Sequence, residues 1–299
     1  MESIDATINR TNDNQEIVFR CNICDQINDT RLELLSRDTP SCSNCGSSVR
    51  LRAIIQVLTT ELFGQSISIS QMKPRRPQLS GMGMSCWNGY AAPLSRLTGF
   101  RNTFYHQEPR LDITHIEDTD LRSLDFIISS DVFEHIEPPV DRAFSNVRKL
   151  LDDDGVFVFS APFVAPGEKD VPTVEHYPDL FDYEIIKNND TFVLKNTTKD
   201  GRVQRFDHLV FHGGPGTTLE MRLFSESSVI AALVNAGFSD ISIYTGADLA
   251  HGIYWRDQCS IPIAARVGKK RKPNLSFDKD LFVRRSLLSR LKRKLRRTF

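Results

Sequence analysis

The chain has 299 residues, 40% of them hydrophobic and 25% charged, enough for one α/β core with a small appendage. No run approaches the roughly 20 apolar residues of a membrane span, and the polar start MESIDATINRTNDNQEI lacks the apolar segment of a secretory signal, so a cytoplasmic protein is expected. The net charge of zero conceals a division: of 38 basic and 38 acidic residues, 13 and 2 lie from Lys269 onward, leaving 25 and 36 in the rest. An acidic body with a basic end bears on partners, not on fold.

Residues 1–16, polar and rich in Asn, Asp and Thr, read as a disordered leader. Residues 17–48 carry Cys21-x2-Cys24 and Cys42-x2-Cys45, a spacing that matches four-cysteine zinc sites. Each C-x2-C turn aims two sulfurs at one centre, and four thiolates complete a tetrahedral Zn²⁺ with no position left for water, so the predicted role is structural. Cys86 and Cys259 stand alone. VRLRAIIQVLTTELF has apolar residues at helical spacing and predicts a helix within a linking segment, residues 49–71.

From residue 72 to 267 the pattern alternates. LSGMGMS reads as a strand ending in a glycine turn, NGYAAPLSRLTG as a short helix closed by Gly99, and NTFYHQ as a second strand. LDFIISSDVF is an apolar strand ending at a carboxylate, residues 139–151 are an amphipathic helix, and GVFVFSAPF is another buried strand. SESSVIAALVNAGF is a helix with Ser225 as N-cap and Gly237 just past its end, and ISIYTG and CSIPIAARV hold later strands. This alternation predicts a Rossmann-like, doubly wound, mostly parallel α/β sheet with a small N-terminal zinc-ribbon-like module. Residues 164–222, rich in His, Tyr, Phe and Gly, read as an insertion: a substrate lid or a surface excursion with an antiparallel hairpin. Residues 268–299 set Leu288, Leu291, Leu295 and Phe299 on one face of a basic amphipathic helix, suited to an anionic membrane surface or to RNA phosphates, with a solvated, partly disordered tail as the alternative.

The candidate pocket is assembled from features in order. Gly81-Met82-Gly83-Met84-Ser85 follows a strand and precedes a helix, where glycines admit a ligand close to the backbone. Glu108 follows the second strand, where a carboxylate accepts the hydroxyls of a ribose, and Asp112 and Ile113 come next. DFIISSDVFEHI then ends a buried strand in polar residues.

That last run, with the following helix and GVFVFSAPF, resembles the class I S-adenosylmethionine-dependent methyltransferases of the broad type 11 group. GMGMSCWNGYAAPL and NTFYHQEPRLDI resemble a narrower set within it, often fused to a cysteine-rich N-terminus and associated with glycan biosynthesis. The similarity spans about residues 17–267. It implies that Gly81, Gly83 and Ser85 line the methionine part of the cofactor and that Glu108 holds the ribose. It implies further that Asp112 and Ile113 flank the adenine, and that Asp131 and Val132 sit beside the sulfonium. The chain departs from the pattern in lacking a third glycine and in separating Glu108 from Asp112 by only three residues.

If the acceptor is a sugar hydroxyl, a histidine near the methyl group is the natural base. His135 is the first candidate by its place in sequence, with His176, His208 and His212 as others; a packed imidazole at a helix start is the alternative for Glu134-His135. The expected reaction is O-methylation of a sugar, glycan or related small acceptor, with S-adenosylmethionine and structural Zn²⁺ as cofactors. Peripheral membrane contact through the basic tail is the expected partner surface. A zinc-module RNA methyltransferase is less favoured, because the module offers few aromatics for base stacking. A non-catalytic binding protein with a degenerate pocket is the remaining alternative.

Overall fold

A computed structural model describes residues 15–72, 78–117, 121, 123–164, 172–189, 191–256 and 259–268. The leader expected over 1–16 falls almost wholly outside the described residues, and the amphipathic tail expected over 268–299 does so after residue 268.

The chain begins with an antiparallel hairpin, β1 (Glu16–Arg20) and β2 (Ile27–Arg31), whose turn carries Cys21 and Cys24. The expected linking helix is α1 (Val49–Phe63), ended by Gly64 in the left-handed region at φ 75°. The central sheet has six strands: β3 (Ser80–Met84), β4 (Gly99–Thr103), β5 (Leu124–Ser130), β6 (Leu151–Ser160), β15 (Asp240–Ile243) and β16 (Ile263–Arg266). Their order is β15-β16-β6-β5-β3-β4. The four strands from β4 to β6 are parallel, and β16 and β15 are antiparallel additions at the far edge. The chain runs from β3 to one side for β4 and returns to the other side for β5. The order therefore reverses between β3 and β5, where doubly wound sheets bind their ligands.

Both faces of the sheet are covered, which explains the unbroken apolar runs read in sequence. Phe126, Ile128, Val156 and Val158 face α1 and α2 (Asn88–Leu97). Ile127, Phe157 and Phe159, one residue out of phase, face α3 (Asp141–Leu150) and α4 (Glu226–Asn235). The apolar residues of the cysteine module, Ile17, Phe19 and Leu32 among them, belong to the first of these cores. Phe19 lies against Gly252, where an added Cβ would come within 2.5 Å of its ring, and Ile69 N–H donates to Asn22 O at 2.8 Å. The boundary drawn at residue 48 marks a change of motif within one continuous core.

Two local readings differ. Gly81 and Gly83 lie inside β3 rather than in a turn after it. A Cβ on Gly81 would sit 2.1 Å from the Phe126 ring, and one on Gly83 2.5 Å from the Phe100 ring. Those two rings stack at 5.8 Å over the glycine strand, so the missing side chains make room for aromatic packing. The second strand starts at Gly99 rather than near Asn102, because Gly99 N–H joins Leu79 O at 2.7 Å and begins the ladder with β3.

The insertion forms β7 (Phe163–Val164), β8 (Val174–Glu175), β9 (Asp182–Asn188), β10 (Thr191–Thr197), β11 (Val203–Phe206), β12 (Phe211–His212), β13 (Thr218–Leu219) and β14 (Arg222–Ser225). β9, β10 and β11 make an antiparallel sheet over a small core of Tyr177, Leu194, Leu219 and Met221.

Candidate functional site

Two strand ends bound the site. Ser85 follows β3 at φ 50° and Asp131 follows β5 at φ 54°. Left-handed backbone at a residue with a Cβ costs about 1–3 kcal/mol and persists only where surrounding contacts fix it. Ser85 N–H donates to Thr103 O at 2.7 Å, and Asp131 N–H to Ser160 O at 2.8 Å. The sharp turn sought at Gly81 and Gly83 is thus made by Ser85.

Between these ends lies a cavity of about 840 Å³, within the range of small-molecule sites. Ser85, Trp87 and Tyr90 line it from β3 and α2, Ser130 and Asp131 from the end of β5, and Phe211, His212 and Gly213 from the insertion. The remaining wall comes from the cysteine module and α1, as Arg37, Asp38 and Arg50. Arg37 donates to both Asp131 and Asp38. Arg50 donates to Asp38 Oδ1 at 2.8 Å and to Ser130 Oγ at 2.9 Å, and lies 3.4 Å from Asp131 Oδ2. Ser160 Oγ donates to Asp131 Oδ1 at 3.0 Å. Burial alone would lower the Arg37 pKa, but Asp131 and Asp38 outweigh it and hold the guanidinium firmly charged. Cys86 is buried beside the cavity and its thiol is pushed up to about 12 by desolvation, so it stays protonated.

Of the residues singled out in sequence, Ser85, Asp131, His135 and His212 line this cavity. Glu108 lies outside it on an exposed loop, its carboxylate accepting the Arg110 N–H at 3.0 Å. Asp112 turns back on its own backbone, accepting from Thr114 N–H at 2.9 Å and Thr114 Oγ1 at 2.7 Å. Ile113 is buried under α3, with its carbonyl held by Asn146 at 2.9 Å, and Val132 packs against the same core. Sequence reasoning missed Arg37 and Arg50 as site residues. Nothing local marks them, since they reach Asp131 across 94 and 81 positions of chain, and only their flanking of Cys42 and Cys45 hints at a shared role.

His135 belongs to a second cluster at the rim. Its 3-10 turn, Phe133–His135, is held by Arg222, a fully buried guanidinium that donates to Phe133 O at 3.0 Å and Ile136 O at 2.6 Å. His135 Nδ1 donates to Leu219 O at 2.8 Å, and its Nε2 lies 3.2 Å from His212 Nδ1. His212 Nε2 meets Glu220 at 2.5 Å, and His176 Nε2 meets the same carboxylate at 2.8 Å. His208 is exposed and lies apart from the cavity. Burial, with His212 nearby, holds His135 below the ordinary imidazole range. Burial and the Asp131 carboxylate push Glu134 well above the usual carboxylate range.

The four cysteines converge. Cys21 Sγ lies 3.7 Å from Cys45 Sγ and Cys24 Sγ 3.6 Å from Cys42 Sγ, with all four sulfurs within 4.8 Å of one another. A tetrahedron of sulfurs about 2.3 Å from a central ion has edges of about 3.8 Å, so the spacing fits such an ion. Asn28 donates to Cys42 Sγ at 3.6 Å. Behind the sulfurs Arg52 is fully buried, donating to Ser47 O at 2.6 Å, Ser41 Oγ at 2.8 Å and Gly252 O at 2.7 Å. Burial lowers its pKa while the four cysteines pull it back up.

No family model and no curated protein matches the chain. Solved structures with a similar chain arrangement include an S-adenosylmethionine-dependent methyltransferase from Mesorhizobium loti, at 15% identity and a TM-score of 0.44, covering 75% of this chain and 100% of that one. A second is the sugar N-methyltransferase KedS8 from Streptoalloteichus, at 12% identity and a TM-score of 0.41, covering 75% and 90%. A third is an S-adenosylmethionine-dependent methyltransferase from Clostridium acetobutylicum, at 14% identity and a TM-score of 0.37, covering 64% and 84%.

Proposed function

We propose that the chain is an S-adenosylmethionine-dependent methyltransferase that acts on an oxygen of a sugar, glycan or related small acceptor, with a structural zinc ion on its four cysteines. The observation that carries the reading is the cavity at the order reversal of the sheet, with Ser85 and Asp131 held at positive φ on the ends of β3 and β5. The donor set fits the methionine end of that cofactor. Its carboxylate matches Arg37 and Arg50, and its ammonium and sulfonium match Asp131, the partner those arginines hold otherwise. Tyr90 and Trp87 offer apolar wall to the rest.

When bound, the cofactor supplies an electrophilic methyl group; the protein's task is alignment and exclusion of water. The insertion serves that task by lining the cavity with Phe211 and His212. His135 and His212 mark the acceptor end, where a hydroxyl must lose its proton as it is methylated. A cavity of about 840 Å³ suits a small or terminal group rather than a duplex nucleic acid.

Calorimetric titration of the full chain with S-adenosylmethionine tests the reading. Saturable one-to-one binding is expected, weakened at least about tenfold in Asp131→Asn by loss of a charge-assisted contact. No heat of binding with the wild-type chain overturns it.

A further inference from the structure

We propose that Glu134, His135 and His212 form a second metal site, for a divalent transition-metal ion, at the rim of the cavity and separate from the four cysteines. The three offer one ligand atom each from two distant parts of the chain, the end of β5 and the insertion.

The tautomers are fixed by the outer contacts. The Leu219 carbonyl only accepts, so His135 Nδ1 carries the proton and Nε2 presents a lone pair. The Glu220 carboxylate takes the Nε2 proton of His212, so its Nδ1 does the same. These two nitrogens face each other at 3.2 Å. Glu134 completes the group, with Oε1 3.7 Å from His135 Nε2 and 4.0 Å from His212 Nδ1. Glu134 is fully buried, and neither of its carboxyl oxygens has a hydrogen-bond partner. Two lone pairs and a buried carboxyl group with no hydrogen-bond partner thus lie together, a donor set that a positive ion would satisfy.

The dimensions suit an ion. The circle through the three ligand atoms, drawn from those distances, has a radius of about 2.1 Å, the length of a bond from a metal to imidazole nitrogen or carboxylate oxygen. Both imidazoles are braced from outside by a carbonyl and a carboxylate, as metal-bound histidines are. His176 fixes the far oxygen of Glu220. Two imidazoles and one carboxylate favour Zn²⁺, Mn²⁺, Fe²⁺, Co²⁺ or Ni²⁺ over Mg²⁺ and Ca²⁺, which prefer oxygen alone. His135 and His212 both line the cavity, so the free positions of the ion point into it and accept an oxygen ligand. One consequence rests on the methyl-transfer reading: an ion there lowers the pKa of the acceptor hydroxyl, and His135 acts as its ligand rather than as a free base.

Metal content separates this site from the cysteine cluster. The full chain is equilibrated with Co²⁺ alone, without S-adenosylmethionine, and total zinc plus cobalt is counted per chain. Two ions are expected in the wild type, and one in both His212→Ala and Glu134→Gln. Glu220→Gln, which loosens only the outer brace, is expected to weaken uptake of the second ion by about tenfold or more. His212 is partly exposed, so its truncation tests the site even if Glu134→Gln does not fold. One ion per chain in the wild type, or two in both variants, overturns the proposal. Because uptake is read without cofactor, it stands or falls independently of the methyltransferase reading.

Discussion

Arg52 shows how much one side chain settles in this molecule. Its guanidinium is enclosed, lies 4.7 Å from the centre of the Phe19 ring, and joins the cysteine knuckles to the segment around Gly252. Taking a buried, hydrogen-bonded charge out of such a place strands its acceptors beside the cysteine sulfurs, at a cost of about 3–5 kcal/mol. Arg52→Met is therefore expected to lower the unfolding free energy, read from denaturant titration, by that amount, and an unchanged value would show the contacts to be incidental. Single residues of this kind were the least legible in sequence. Asp131 and His135 could be named because they end an apolar run. Arg37 and Arg50 could not, since their roles depend on a partner 94 and 81 positions away, and His212 was a candidate by residue type alone, its neighbour His135 lying 77 positions off. Gly81 and Gly83 were noticed for the right reason of size, yet the space they leave admits the rings of Phe100 and Phe126.

Elements were easier to read, because their causes are local. α4 begins after Ser225, whose hydroxyl accepts the Ser228 N–H at 3.1 Å, and ends before Gly237 at φ 100°. Both ends follow from cap chemistry written in the sequence. Ser225→Ala should cost about 1 kcal/mol in urea unfolding, the usual worth of an N-cap; a loss near zero would mean that the Thr173 and Ser227 hydroxyls beside it take over. α1 is legible for the same reason, from apolar spacing alone. Of the insertion only an antiparallel hairpin was legible, met by β9 and β10; its other strands gain their order from tertiary contacts. β14 is pinned between β7 and β8, and Met221 N–H reaches Glu134 O at 2.7 Å, tying the insertion to the turn after β5. No periodicity in a short strand announces such a link.

At the scale of the whole molecule, the cysteine module and the sheet share one interior. Glu61 of α1 and Arg266 of β16 form a buried ion pair at 2.8 Å, a further clasp between the N-terminal segment and the far edge of the sheet. Arg37 hangs between the two cysteine pairs, so any ion holding those pairs also holds one wall of the cavity. Cys42→Ser is expected to weaken S-adenosylmethionine binding by more than tenfold in calorimetry, together with a fall in melting temperature. Unaltered affinity in a destabilised variant would show that the wall stands without the ion. Overall topology was foreseeable from the alternation of strands and helices, and the reversal of order between β3 and β5 follows from it. The fusion of module and sheet into one core was not, because Phe19 and Gly252 are 233 positions apart and meet only in the folded chain.

That fusion has a consequence for how the chain can be cut or recombined. A fragment starting after residue 48 would take Ile17, Phe19 and Leu32 out of the core they share with α1, and Arg37 and Asp38 out of the pocket wall. The knuckle is thus a keystone rather than a handle: grafted elsewhere it would carry away an unmatched apolar flank, and the remnant would be a vessel lacking part of its rim.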